Sequence, residues 1–138
     1  MEEPCPRIVF FGPGLNGNLT AECYGNKAAG LSAMAAANIP VPPGFVLPVR
    51  ICEEYYRNSK RLPDDVPELL AQGVSYLEKS TGYVFGGVRN PLLVSVRSGG
   101  PVSMPGIMET ILNVGLTPVT VRALLAQTGN PRFVYDTY

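Results

Sequence analysis

Two short stretches hold the residues best suited to bind a charged ligand. In Gly25-Asn26-Lys27 a lysine falls in the first turn of the helix that the sequence predicts over residues 26–37. An ammonium there opposes the helix macrodipole at roughly 0.3–1 kcal/mol. An anion at the same spot reverses the sign, because amide N–H groups, dipole and ammonium then face one charge. The plainer reading is a solvated lysine whose placement is screened. In Arg97-Ser98-Gly99-Gly100 an arginine closes the strand predicted over residues 91–97, ahead of a serine and two glycines. Ligands of open α/β sheets bind at that edge. The guanidinium fork matches phosphate oxygens in pairs, and glycines let backbone N–H groups approach them closely. Here the plainer reading is an arginine paired with a nearby carboxylate. The chemistry common to both stretches is recognition of phosphate.

Other polar groups invite less. Residues 102–110 (VSMPGIMET) form a Gly/Pro loop with two methionines, suited to a lid beside a phosphate site or to a surface loop with Met packed beneath it. Glu109 reads as a solvated carboxylate. Glu53-Glu54 reads as helix surface and Asp64-Asp65 as a helix cap, and neither pair is assigned a catalytic role. Tyr55, Tyr56, Tyr76, Tyr83 and Phe85 lack interleaved basic residues, so they read as core and rim, not a base-stacking platform.

Composition narrows the function classes. The chain has 138 residues, 11 Lys+Arg against 11 Asp+Glu, and no histidine. A balanced charge excludes the broad basic field of nonspecific nucleic-acid binding. Without histidine, this chain alone holds no His-based general base, triad or typical catalytic zinc site. Cys5, Cys23 and Cys52 are odd in number and lack CxxC spacing, which argues against a disulfide framework or zinc ribbon and for a reducing, cytoplasmic setting. No apolar run approaches the ~20 residues of a membrane-spanning helix, so no membrane partner is expected.

The elements that must position these residues follow from pattern. Residues 7–11 (RIVFF) read as a strand, 12–22 as a loop, 45–47 as a second strand and 49–58 as a short helix. The prolines of residues 40–43 force an extended connection. A helix from Asp65-Val66-Pro67-Glu68 to about residue 80 is expected to bury Leu70, Val74 and Leu77. Leu31 and Met34 should share one face of the 26–37 helix, and Leu92, Val94 and Val96 one face of the 91–97 strand. Residues 110–114 make another strand. Thr117-Pro118 opens a helix with Val121, Leu124 and Leu125 inside and Gly129 as its stop. Residues 132–138 look like the opening of a further helix that ends unfinished, so a longer polypeptide is expected. Few strands mixed with helices give an α/β or α+β class.

Three segments carry a family resemblance: GNKAAGLSAM at 25–34, IPVPPGF at 39–45 and LLVSVRSGGPVSMPGIMETILNVGL at 92–116. They resemble the amino-terminal nucleotide-binding domain of the pyruvate, phosphate dikinase family; CEEYYRNSKRLP at 52–63 and TGNPRFVYDTY at 128–138 are similar too. The VSVRSG…VSMPGIMETILN block is the most specific part, and the related phosphoenolpyruvate synthases lack SMPG after the arginine. The resemblance implies a partial ATP-grasp-type fold, a few-stranded sheet packed with helices. Residues 1–116 would be a first subdomain and 117–138 the start of a helical one, cut short. It implies binding of ATP with Mg2+, and conversion of ATP, phosphate and pyruvate to AMP, diphosphate and phosphoenolpyruvate. A phosphohistidine domain and a pyruvate-binding barrel would lie elsewhere. The family's phosphate-contacting lysine and arginine correspond to Lys27 and Arg97; Ser98, Gly99, Gly100 and Ser103 are secondary candidates. Asn26 and Ala28 stand where the family usually has glycine. Metal ligands are expected outside this chain, which alone should be inactive, and a homodimer contact is one way to cover a truncated sheet. The alternatives are a phosphoenolpyruvate synthase-like dikinase, or a non-catalytic relative that binds a partner or a phosphate ligand.

Overall fold

In the computed structural model the described residues are 5–14, 19–100, 102 and 109–138. The chain divides into two compact units, Met1–Tyr76 with Gly99–Met108, and Leu77–Ser98 with Glu109–Tyr138.

The first unit is organised by a strand pair. β1 (Val9–Phe11) runs antiparallel to β2 (Gly44–Val46), with Val9 opposite Val46 and Phe10 opposite Phe45. Successive side chains of a strand point to opposite faces, and the burial follows that alternation. Val9, Phe11 and Val46 pack on a cluster of Leu19, Tyr24 and Ala28. Ile8 and Leu47 pack on a second cluster of Ile51, Val66 and Leu69. Leu19 precedes the first helix, and four helices supply the other cluster residues: α1 (Ala21–Tyr24), α2 (Asn26–Ala36), α3 (Arg50–Arg57) and α4 (Val66–Thr81). The Tyr76 hydroxyl donates to the Phe11 carbonyl at 2.9 Å, and its ring lies 4.8 Å from that of Phe10.

A charged clamp closes one side of this unit. The Arg7 guanidinium donates from Nε and Nη2 to the Asp65 carboxylate at 2.7 and 2.6 Å, and from Nη1 to Glu54 at 2.6 and 2.7 Å. It thereby ties the approach to β1 to α3 and to the start of α4. Asp65 stands just before α4, where a cap was expected, and its side chain also serves Arg7; Glu54 is likewise more than helix surface.

The second unit holds β3 (Val84–Phe85), parallel to β4 (Pro91–Leu92), and β5 (Val94–Arg97), antiparallel to β6 (Thr110–Val114). A register shift separates Val94 from Val96. α5 (Pro118–Thr128) and α6 (Pro131–Thr137) follow. α5 begins with a reciprocal cap: the Thr117 hydroxyl accepts from the Thr120 amide, and the Thr120 hydroxyl accepts from the Thr117 amide at 2.8 Å. It ends on Gly129 in the left-handed conformation, φ 61°. Leu92, Val121, Ala123 and Val134 are buried here.

Several expectations need correction. The 91–97 segment is two strands in two sheets, since Pro91 and Leu92 pair with β3 while Val94–Arg97 pair with β6. Consequently Leu92 is buried and Val96 is not. The buried stripe of α4 includes Leu69, while Leu70 is 43% exposed. Gly73 sets that phase, because a side chain there would collide with the Phe45 ring. On α2 the buried residue is Ala28, and Met34 is exposed. The loop expected over 12–22 contains the start of α1, opened by Thr20, whose hydroxyl accepts from the Cys23 amide. Finally, Cys5 and Cys23 form a disulfide with a Cα–Cα distance of 5.9 Å, a separation that such a bond spans. The odd cysteine is Cys52, which is exposed.

Candidate functional site

The turn that carries Lys27 is built from backbone upward. Thr20 caps α1, the Tyr24 amide donates to the Thr20 carbonyl at 3.0 Å, and the Gly25 amide closes α1 on the Ala21 carbonyl at 2.8 Å. Gly25 is both the end of α1 and the cap of α2, at φ 81° and ψ 163°. That left-handed backbone lets two helices follow each other with a single residue between them, and it favours glycine. The Ala29 amide donates to the Gly25 carbonyl at 3.1 Å, so α2 is under way at once. Lys27 is the second residue of α2, on its exposed side.

The turn is anchored at several points. Tyr24 is buried among Leu19 and Ala28, and its hydroxyl donates to the Pro6 carbonyl at 3.0 Å. Burial raises the Tyr24 phenol above its ordinary pKa of 10.0, and the positive charge of Arg50 pulls weakly the other way. The Cys23 carbonyl accepts from the Val49 amide at 2.8 Å, and the Cys5–Cys23 bond adds a covalent tie. This support was not legible in the sequence, where Tyr24 stands alone beside a glycine.

The electrostatics suit an anion. α2 has no acidic residue in its first turn and no side-chain cap on its N-terminus. Its amide dipoles and Lys27 therefore act with one sign. The glycine segment comes to this same turn. The Asn26 amide donates to the Gly100 carbonyl at 3.3 Å. A β-carbon built on Gly25 would lie 3.1 Å from the Gly99 carbonyl carbon and 3.2 Å from the Gly100 nitrogen. Gly99 and Gly100 are half-buried. Of the residues singled out in the sequence, Gly25, Asn26, Gly99 and Gly100 are thus assembled within the first unit, with Lys27 on the same turn.

Arg97 and Ser98 belong to the second unit. Arg97 ends β5 opposite Thr110 and is exposed, as is Ser98. Ser103 and most of the 102–110 loop lie outside the described residues. Among the described residues there is no cluster of three His, Cys, Asp or Glu side chains that could hold a metal ion. Ligands for Mg2+ are therefore not assigned to these residues. No helix among the described residues is long and apolar enough to cross a membrane.

The class these features define is a mixed α/β domain whose lysine-bearing helix start faces glycine backbone, an arrangement fit for phosphate. Comparison with known proteins makes the relationship specific. The chain is 46% identical over 134 residues to pyruvate, phosphate dikinase of Entamoeba histolytica, covering 96% of this chain and 15% of the relative. It is 44% identical over 137 residues to the enzyme of that name from Giardia intestinalis, again 96% of this chain and 15% of the relative. For the Clostridium symbiosum pyruvate, phosphate dikinase the figures are 43% over 114 residues, 83% and 13%. No family model matches the chain. By sequence the chain is a homologue of a segment of pyruvate, phosphate dikinase, and it spans about 15% of the length of the curated relatives it matches.

Proposed function

We propose that the chain is the amino-terminal part of the nucleotide-binding domain of a pyruvate, phosphate dikinase. In that role it supplies phosphate-contacting groups for the conversion of ATP, phosphate and pyruvate to AMP, diphosphate and phosphoenolpyruvate. The observation that carries the reading is the 46% identity over 96% of the chain to an enzyme of that name. It is supported by a helix start in which lysine, amide dipoles and glycine backbone suit one anion. Lys27 neutralises charge on the triphosphate as a compact ammonium, and Arg97 grips a pair of its oxygens. Ser98, Gly99, Gly100 and Ser103 offer a hydroxyl or backbone donor to the same phosphates. Residues 1–116 form the first subdomain and 117–138 open a helical one.

Phosphoryl transfer depends on positioning and on cations that neutralise developing charge. Mg2+ supplies part of that neutralisation in the working enzyme, held by residues outside this chain. The sequence has no histidine, so the phosphorylated carrier belongs to a separate phosphohistidine domain, and pyruvate to a separate barrel. Those domains are the chain's partners, in the cytoplasm, with a homodimer contact as a further way to cover apolar surface.

The test is to replace the matching segment of the Entamoeba histolytica enzyme with this chain. The chimera should form phosphoenolpyruvate from ATP, phosphate and pyruvate, and the isolated 138-residue chain should form none. Turnover by the isolated chain, or a folded but inert chimera, would refute the assignment.

A further inference from the structure

Gly25 meets two independent demands. Its φ of 81° is one that residues with a side chain rarely adopt. In addition, a β-carbon there would press on Gly99 and Gly100 at 3.1–3.3 Å, closer than ordinary van der Waals contact. The contact does not follow from the backbone angle alone, because Gly82 has a similar φ of 75° with nothing within 4 Å of its would-be β-carbon. α2 has no side-chain cap, and its Asn26 amide is taken by the Gly100 carbonyl at 3.3 Å. The glycine segment therefore performs, from elsewhere in the chain, the capping that a local serine or aspartate usually performs.

We infer that Gly25 is a positioning residue: by lacking a side chain it lets the Gly99–Gly100 backbone cap α2, and so fixes the spacing between the glycine segment and the turn of Lys27. This rests on the proposed reading of that turn as a phosphate site. Phosphate recognition by backbone and ammonium together needs both pieces in register, and tenths of an ångström matter where positioning carries the chemistry. A methyl at position 25 displaces one piece from the other without removing any group that meets the ligand.

Amide hydrogen exchange and ¹⁵N shifts of the 138-residue chain test this, with inorganic triphosphate as the probe. In Gly25→Ala the Asn26 amide should exchange at least about tenfold faster, and the triphosphate midpoint read at Lys27 and Gly100 should rise about tenfold. Gly82→Ala, with the same kind of backbone strain and no neighbour, should change neither. Should Gly25→Ala unfold the chain, Gly25→Ser in the Entamoeba histolytica chimera provides the readout, with a raised KM for ATP and little change in kcat expected. Unchanged Asn26 protection in Gly25→Ala, or equal effects in Gly82→Ala, would overturn the inference. Failure of Lys27→Ala to weaken triphosphate binding would instead overturn the phosphate reading, whatever Gly25→Ala does.

Discussion

Arg7 shows how much one side chain can organise. Its five donors form a planar fork, and four short contacts of 2.6–2.7 Å place that fork between Glu54 and Asp65. The guanidinium beside it holds the Asp65 carboxyl below its ordinary pKa of 3.8. For a carboxylate lowered in the folded state, the stabilisation is fully present above the unfolded pKa. It is lost as pH falls through the lowered folded value. Thermal melts should therefore show stability declining below about pH 4, and Asp65→Asn should flatten that decline. Arg7→Ala leaves two carboxylates facing each other and should lower Tm at pH 7 by roughly 5 °C. A melt within a degree of the parent would show that the clamp is ornamental. None of this pairing was legible in the sequence. Residues 7, 54 and 65 are far apart in the chain, and each carried a plausible local role as strand start, helix surface or cap.

Among the elements, α5 was the most legible, because its signals are local. Thr117-Pro118 and Gly129 state where a helix begins and ends, and the structure places its caps there. The cap also reaches beyond the helix. Thr120 is fully buried, and its hydroxyl donates to the Gly115 carbonyl at 2.8 Å while accepting from the Thr117 amide. Thr120→Val keeps the shape and leaves both groups unpaired, so it should cost about 1–3 kcal/mol in urea unfolding. A loss under ~0.5 kcal/mol would mean that water replaces the hydroxyl. Elements set by distant contacts were read less well. The division of 91–97 between two sheets depends on β3 and β6, which period-2 alternation within the segment cannot reveal. The phase of α4 depends on Phe45 lying over Gly73, so Leu70 is exposed although its spacing from Val74 and Leu77 suits a core residue. The Lys27 helix was legible because glycine, lysine and an alanine-rich run announce it. What holds its first turn, Tyr24 on Pro6 and Gly100 on Asn26, was not.

At the scale of the whole molecule, covalent topology and length matter most. The structure joins two of the three cysteines, Cys5 and Cys23, in a bond that spans 18 residues. Unfolded without reductant, the chain should expose one reactive thiol, from Cys52, and three after reduction. Three thiols before reduction would contradict the pairing. The chain is also about 15% of the length of its dikinase relatives. Steady-state turnover of a dikinase carrying this segment, with Lys27→Ala and Arg97→Ala compared against the unchanged sequence, tests whether the two cations hold the phosphates. Each substitution should lower kcat/KM for ATP by about 100-fold or more while the melting temperature holds. Turnover near that of the unchanged enzyme in either variant would take that cation away from the phosphates.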